Sequence, residues 1–226
     1  MEKDSALNLS SQIGIDVQQV VREEAELIFL KGLFESKIAD ALVFKGGTAL
    51  RLIYNSPRFS EDLDFSLTTS VNFRDFKAMI TKIIKSDSRF SLKDLAAKYY
   101  THLAQIRIKE SWQNLAFPLK IEISKRPEKL KAPEITNLLA KSPATNIMVT
   151  ARVYTFEKIL EDKLRMLSER KMPRDIFDLW YICQKTGKPF TKKQFGYKKG
   201  KIRQELRKFL PRNFYPVIEE LEGLNA

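Results

Sequence analysis

Asp62 and Asp64 lie one residue apart in a run, Asp62-Leu63-Asp64-Phe65-Ser66-Leu67, that alternates polar and apolar. Alternation with a period of two is the signature of a strand with one face toward a core, and it puts both carboxylates on the other face. Two adjacent carboxylates repel unless a cation sits between them. Oxygen-only ligands suit Mg²⁺, which is hard and readily shared with phosphates. The bland alternative is a chance D-x-D on a solvated strand. Upstream, Gly46-Gly47-Thr48 follows a short apolar run and precedes Ala-Leu-Arg-Leu-Ile-Tyr. This reads as a strand, a glycine turn and a helix opening with a Thr cap, where free N–H groups gather to receive a phosphate. Most glycine pairs are plain turns, but next to a D-x-D strand this one pairs a triphosphate cradle with a metal site.

Three further features bear on that chemistry. Glu122 lies in the strand-like run Phe117 to Ser124, with Lys120 and Ser124 on its face and Ile121 and Ile123 on the other. If that strand neighbours the D-x-D strand, three carboxylates converge and two metal ions become possible; the alternative is an exposed Glu paired with a Lys. Leu160, Lys163, Leu164 and Leu167 follow the spacing of a buried helical stripe, so Lys163 needs either an anion or an escape route for its ammonium to water. A phosphate would serve as that anion. Asp175 and Asp178 share a face of the next helix and are placed to orient Lys163 or the nucleotide. His102, the only histidine, has no nucleophile or metal motif around it and reads as structural.

These groups need elements to carry them. Residues 18 to 40 and 72 to 86 have helical apolar spacing, while 104 to 110 and 117 to 124 read as an antiparallel pair of strands. From Thr155 the pattern is helical, interrupted at Pro173. The expected fold is therefore α+β, with a small mixed sheet flanked by helices over residues 1–150 and a helical lobe over 151–226 that completes a nucleotide cleft.

Composition narrows the partners. The chain has 226 residues, 43% hydrophobic and 30% charged, as in an ordinary globular protein. A net charge of +12 suits a polyanion, because Lys and Arg on phosphates release condensed counterions. The segment Lys192 to Arg212 interleaves cations with Phe and Tyr as an RNA surface would, though a solvated basic helix is equally consistent. Cys183 is the only cysteine, which excludes an internal disulfide and a cysteine zinc site and fits a reducing cytoplasm. The chain shows neither an apolar signal core nor a run of the roughly 18 apolar residues that would span a bilayer.

Taken in order, Lys45-Gly46-Gly47-Thr48-Ala49-Leu50, Arg58-Phe59-Ser60-Glu61-Asp62-Leu63-Asp64-Phe65, Lys163 and Arg174-Asp175-Ile176-Phe177-Asp178-Leu179 resemble the motifs of the AbiEii/AbiGii toxin family. That family belongs to the DNA polymerase beta-like nucleotidyltransferase superfamily. The resemblance implies a minimal nucleotidyltransferase fold and assigns Gly46, Gly47 and Thr48 to the triphosphate, with Arg58 and Ser60 lining the same pocket. It gives Mg²⁺ to Asp62 and Asp64, a phosphate contact to Lys163, and the acid role of the last motif to Asp175, with Asp178 as the alternative. Glu122 stands where the superfamily usually has an Asp. It further implies an NTP substrate, transfer to the acceptor end of tRNA, a role in toxin–antitoxin or phage defence, and a winged-helix antitoxin. Competing readings are nucleotidylation of a protein or small molecule, a D-x-D nucleotide-sugar transferase, and a nucleic-acid-binding module with a dead site.

Overall fold

The structure is a computed structural model, and it describes residues 1–126, 130–169, 172–190 and 200–223. The polar N-terminal stretch forms α1 (Lys3–Ile13), which buries Ala6 against α2 (Val17–Phe34). Asp16 caps α2 by accepting from the Gln18 amide. The helix expected over 18 to 40 stops at Phe34, where the amide and the hydroxyl of Ser36 both donate to the Leu33 carbonyl and close the last turn.

Then follow β1 (Leu42–Lys45), α3 (Gly46–Leu52), β2 (Asp62–Leu67), α4 (Phe73–Lys85), β3 (Phe90–Ala97), β4 (Thr101–Ile108), β5 (Phe117–Ser124), β6 (Ile135–Ser142) and β7 (Thr145–Tyr154). The strands form one mixed sheet in the order β3-β4-β5-β2-β1-β7-β6. β1 pairs antiparallel with β2 and parallel with β7, while β2 pairs parallel with β5. β4 and β5 are antiparallel, as their spacing predicts. Leu63, Phe65, Ile121 and Ile123 are fully buried against α2 and α4. Each such side chain contributes about 1.5–3 kcal/mol of burial, which fixes the register and turns Asp62, Asp64 and Glu122 to the opposite face.

The helices α5 (Phe156–Glu169), α6 (Pro173–Thr186), α7 (Lys201–Leu206) and α8 (Tyr215–Gly223) complete the chain. They hold a core of their own around Ile176, Phe177, Ile202, Leu206 and Ile218. A second cluster, Val43, Leu50, Tyr154, Ile159 and Ile182, joins them to the sheet. The expected partition at 150/151 falls inside β7, whose Val153 pairs with Phe44 of β1. Among the described residues, no helix is long and apolar enough to cross a membrane.

Candidate active site

The glycine turn and the D-x-D strand meet because β1 runs straight into the turn while pairing with β2, so that Lys45 lies opposite Asp64. Gly46 takes φ 84°, a left-handed conformation that favours glycine. A Cβ there would come 2.8 Å from Asp64 Oδ2, and one on Gly47 would come 2.3 Å from Arg58 Nη2 and 2.9 Å from Ser60 Oγ. Both glycines are thus required by close approach of their backbone to the site. The Thr cap expected from sequence is absent: α3 begins at Gly46, and buried Thr48 donates its hydroxyl to the Asp62 carbonyl. Thr48 therefore fixes the D-x-D backbone and has no hydroxyl left to donate to a phosphate. Since α3 has only seven residues, its dipole adds little to the turn.

The parallel pairing of β2 with β5 sets Asp62 opposite Lys120 and Asp64 opposite Glu122. The neighbouring strand expected for Glu122 is present. Between its carboxylate and Asp62, however, lies the Lys120 ammonium, 3.3 Å from Asp62 Oδ2 and 3.0 Å from Glu122 Oε2. Glu122 is paired with a lysine, and among the described residues no group of three or more Asp, Glu, His or Cys is arranged to hold a metal ion. Burial, then the charges of Asp62 and Glu122, push Asp64 up to about 6 against the pull of Lys120 and Lys45. That residual negative charge, all oxygen and facing the glycine turn, fits a hard cation held by two carboxylates and completed by phosphate and water, the usual arrangement for Mg²⁺.

Beneath Gly47 lies a buried ionic quartet. Arg58 donates to both Asp178 oxygens, 2.6 Å from Nε and 2.8 Å from Nη2, and its Nη1 donates to the Phe59 carbonyl. Lys163 Nζ is 2.8 Å from Asp175 Oδ1 and 2.6 Å from Asp178 Oδ2. All four residues are at most 4% exposed. Burial alone would raise the Asp178 carboxyl; Arg58 and Lys163 more than offset that and hold it at about 2. The anionic partners expected for Lys163 are there. Arg58, expected to line the nucleotide pocket, instead spends its donors on Asp178 and a carbonyl, and Asp178 is sealed inside the protein. The buried stripe of α5 is also offset from the expected one: Ile159, Asp162 and Lys163 are buried while Leu164 is 54% exposed. Ser60 remains at the surface of the site, against Gly47.

His102 is buried, 3.0 Å from the Val71 carbonyl and stacked on Phe73 and Phe76, as a structural histidine would be. A cavity of about 710 Å³ opens between the α1–α2 junction, the start of α6 and the C-terminal helices. Its lining includes Glu61 and Arg174, the sequence neighbours of Asp62 and Asp175, with Arg207, Lys208 and Arg212. These last three belong to the basic segment, of which residues 192–199 lie outside the described residues. Lys120 and Lys45 join the site through strand pairing: sequence shows Lys120 only as a same-face neighbour of Glu122, and its contact with Asp62 depends on register.

A mixed sheet whose glycine turn abuts a D-x-D strand, closed by a helical lobe, defines a nucleotidyltransferase. Residues 28–215 match the family model for the nucleotidyl transferase AbiEii toxin of type IV toxin–antitoxin systems, so the chain belongs to that family. It is similar to JHP933 from Helicobacter pylori, with 25% identity and a TM-score of 0.57 over 75% of this chain and 68% of that one. It also shares its fold with MenT4, a nucleotidyltransferase toxin from Mycobacterium tuberculosis, at 16% identity and a TM-score of 0.57 over 93% of this chain and 83% of the other. Among curated proteins the chain finds no match.

Proposed function

We propose that this protein transfers a nucleoside monophosphate from an NTP to the 3′ end of an RNA, a tRNA in the first instance, with Mg²⁺ bound by Asp62 and Asp64. The observation that carries the reading is the Lys45–Asp64 register, which makes the glycine turn and the carboxylate pair one site. Mg²⁺ supplies charge neutralisation of the triphosphate. The Gly46–Gly47 backbone and Lys45 flank the phosphates, and Ser60 stands beside them. The acceptor hydroxyl oxygen bonds to the α-phosphorus and the bond to the bridging oxygen breaks. Pyrophosphate leaves with that electron pair, and the hydroxyl proton passes to water at the partly exposed carboxylates.

Arg58, Asp178, Lys163 and Asp175 act as positioning residues: their network ties the segment entering β2 to α5 and α6 and supports the floor under Gly47. The cationic side of the cavity, with Arg174, Arg207, Lys208 and Arg212, suits an acceptor backbone beside Glu61, the residue that precedes Asp62 in the chain. Membership of a toxin family of toxin–antitoxin systems supports a toxin role with an antitoxin as partner; a winged-helix form for that antitoxin, a cytoplasmic setting and phage defence belong to the proposal. The test is incubation with total RNA, all four NTPs and Mg²⁺, followed by mass spectrometry of the RNA. Added nucleotides on tRNA ends, lost with Asp64→Asn, are expected; modification of protein alone would overturn the RNA assignment.

A further inference from the structure

The Lys120 ammonium stands between the Asp62 and Glu122 carboxylates of neighbouring strands. Lys120 projects from the same face of β5 as Glu122, and strand register places it opposite Asp62. Its Nζ lies 3.3 Å from Asp62 Oδ2 and 3.0 Å from Glu122 Oε2, so it fills the gap between the carboxylate of one strand and that of the next. We propose that this active site takes a single divalent cation, on Asp62 and Asp64, and that Lys120 is its built-in second cation. Lys120 already offsets charge on Asp62 and Glu122, and Lys45 lies opposite Asp64, so one divalent ion leaves the three carboxylates with no net negative charge before the triphosphate arrives. A second divalent ion between Asp62 and Glu122 would have to expel the ammonium and take over both of its partners. Lysine is suited to the place because its charge is compact and its donors rotate, so it serves two carboxylates without a planar fork. Its stem is partly covered, with 33% of the side chain exposed, so the head is supported by packing as well as by charge.

This inference rests on the metal-dependent reading above, and ion counting separates the two. Mn²⁺ retained per protein is measured by equilibrium dialysis and electron paramagnetic resonance, with the four α,β-methylene nucleoside triphosphates present and nucleotide alone as the blank. The wild type is expected to saturate with one ion and Lys120→Met with two, while Lys120→Arg keeps the count at one. Two ions on the wild type, or one on folded Lys120→Met, would overturn the role of Lys120 and leave metal-dependent transfer standing. No ion on nucleotide-loaded wild type would overturn both. If Lys120→Met does not fold, the wild-type count still decides.

Discussion

Replacing Asp178 by Asn removes one charge from the centre of the buried quartet while preserving shape. Arg58 would keep a carbonyl contact and Lys163 would keep Asp175, but both cations would lose their shared anion in a region no more than 4% exposed. Two magnitudes bear on the cost. Asp178 titrates at about 2 against an ordinary 3.8, so its folded-state charge contributes about 2 kcal/mol, from about 1.4 kcal/mol per pH unit. Removing one member of a buried pair costs more, about 3–5 kcal/mol, because the surviving cations keep their desolvation penalty. The second effect wins, and for a chain of this size it lowers the melting temperature by about 6–20 °C, at about 2–4 °C per kcal/mol. Urea denaturation and calorimetry of wild type, Asp178→Asn and Arg58→Met/Asp178→Leu measure it. The double variant should recover much of the loss, since apolar groups of similar size need no partners. Because the folded pKa lies below the unfolded one, the wild type should hold this stability above about pH 4 and lose it as pH falls toward 2. An Asp178→Asn variant within about 1 kcal/mol of wild type would mean that the buried cations do not depend on this carboxylate.

Gly47→Ala should impair both folding and NTP binding, because its Cβ would meet the pinned Arg58 guanidinium at 2.3 Å; thermal melts and nucleotide titration check this. Asp64→Asn should melt higher than wild type at pH 7 in EDTA and equal to it near pH 3. Asp64 has a folded pKa raised to about 6, so its ionisation costs the apo protein stability as pH rises from the ordinary 3.8 through 6. Neutralising Arg207, Lys208 and Arg212 together should weaken RNA binding and flatten its salt dependence, by a slope of about 0.7 per lost contact to single-stranded RNA, while NTP affinity holds.

The glycine turn, the D-x-D strand and the β4–β5 pair were legible in sequence because each depends on local periodicity or on a special backbone. β3 was not: it is an edge strand with only Phe90 buried, so it lacks the alternation that marks a strand. β6 and β7 were missed although Ser142-Pro143-Ala144 offers a turn between them, and α1 was hidden by polarity since only Ala6 is buried. In the site, the need of Lys163 for an anion could be read from its helix. The Arg58–Asp178 pair could not, because its partners are 120 residues apart and meet only when α6 docks. Lys120 shows the same limit, since its role follows from a register between β2 and β5 that side-chain pattern alone does not give.

Which phosphorus is attacked sets the class of reaction, and the position of a label reveals it. Total RNA is incubated with the protein, Mg²⁺ and each NTP carrying ³²P at either the α or the γ position, then resolved on a denaturing gel. Label from the α position should enter RNA with release of pyrophosphate, label from the γ position should not, and Asp62→Asn and Asp64→Asn should abolish incorporation. Transfer of the γ label with release of a nucleoside diphosphate would make the protein a phosphoryl transferase instead.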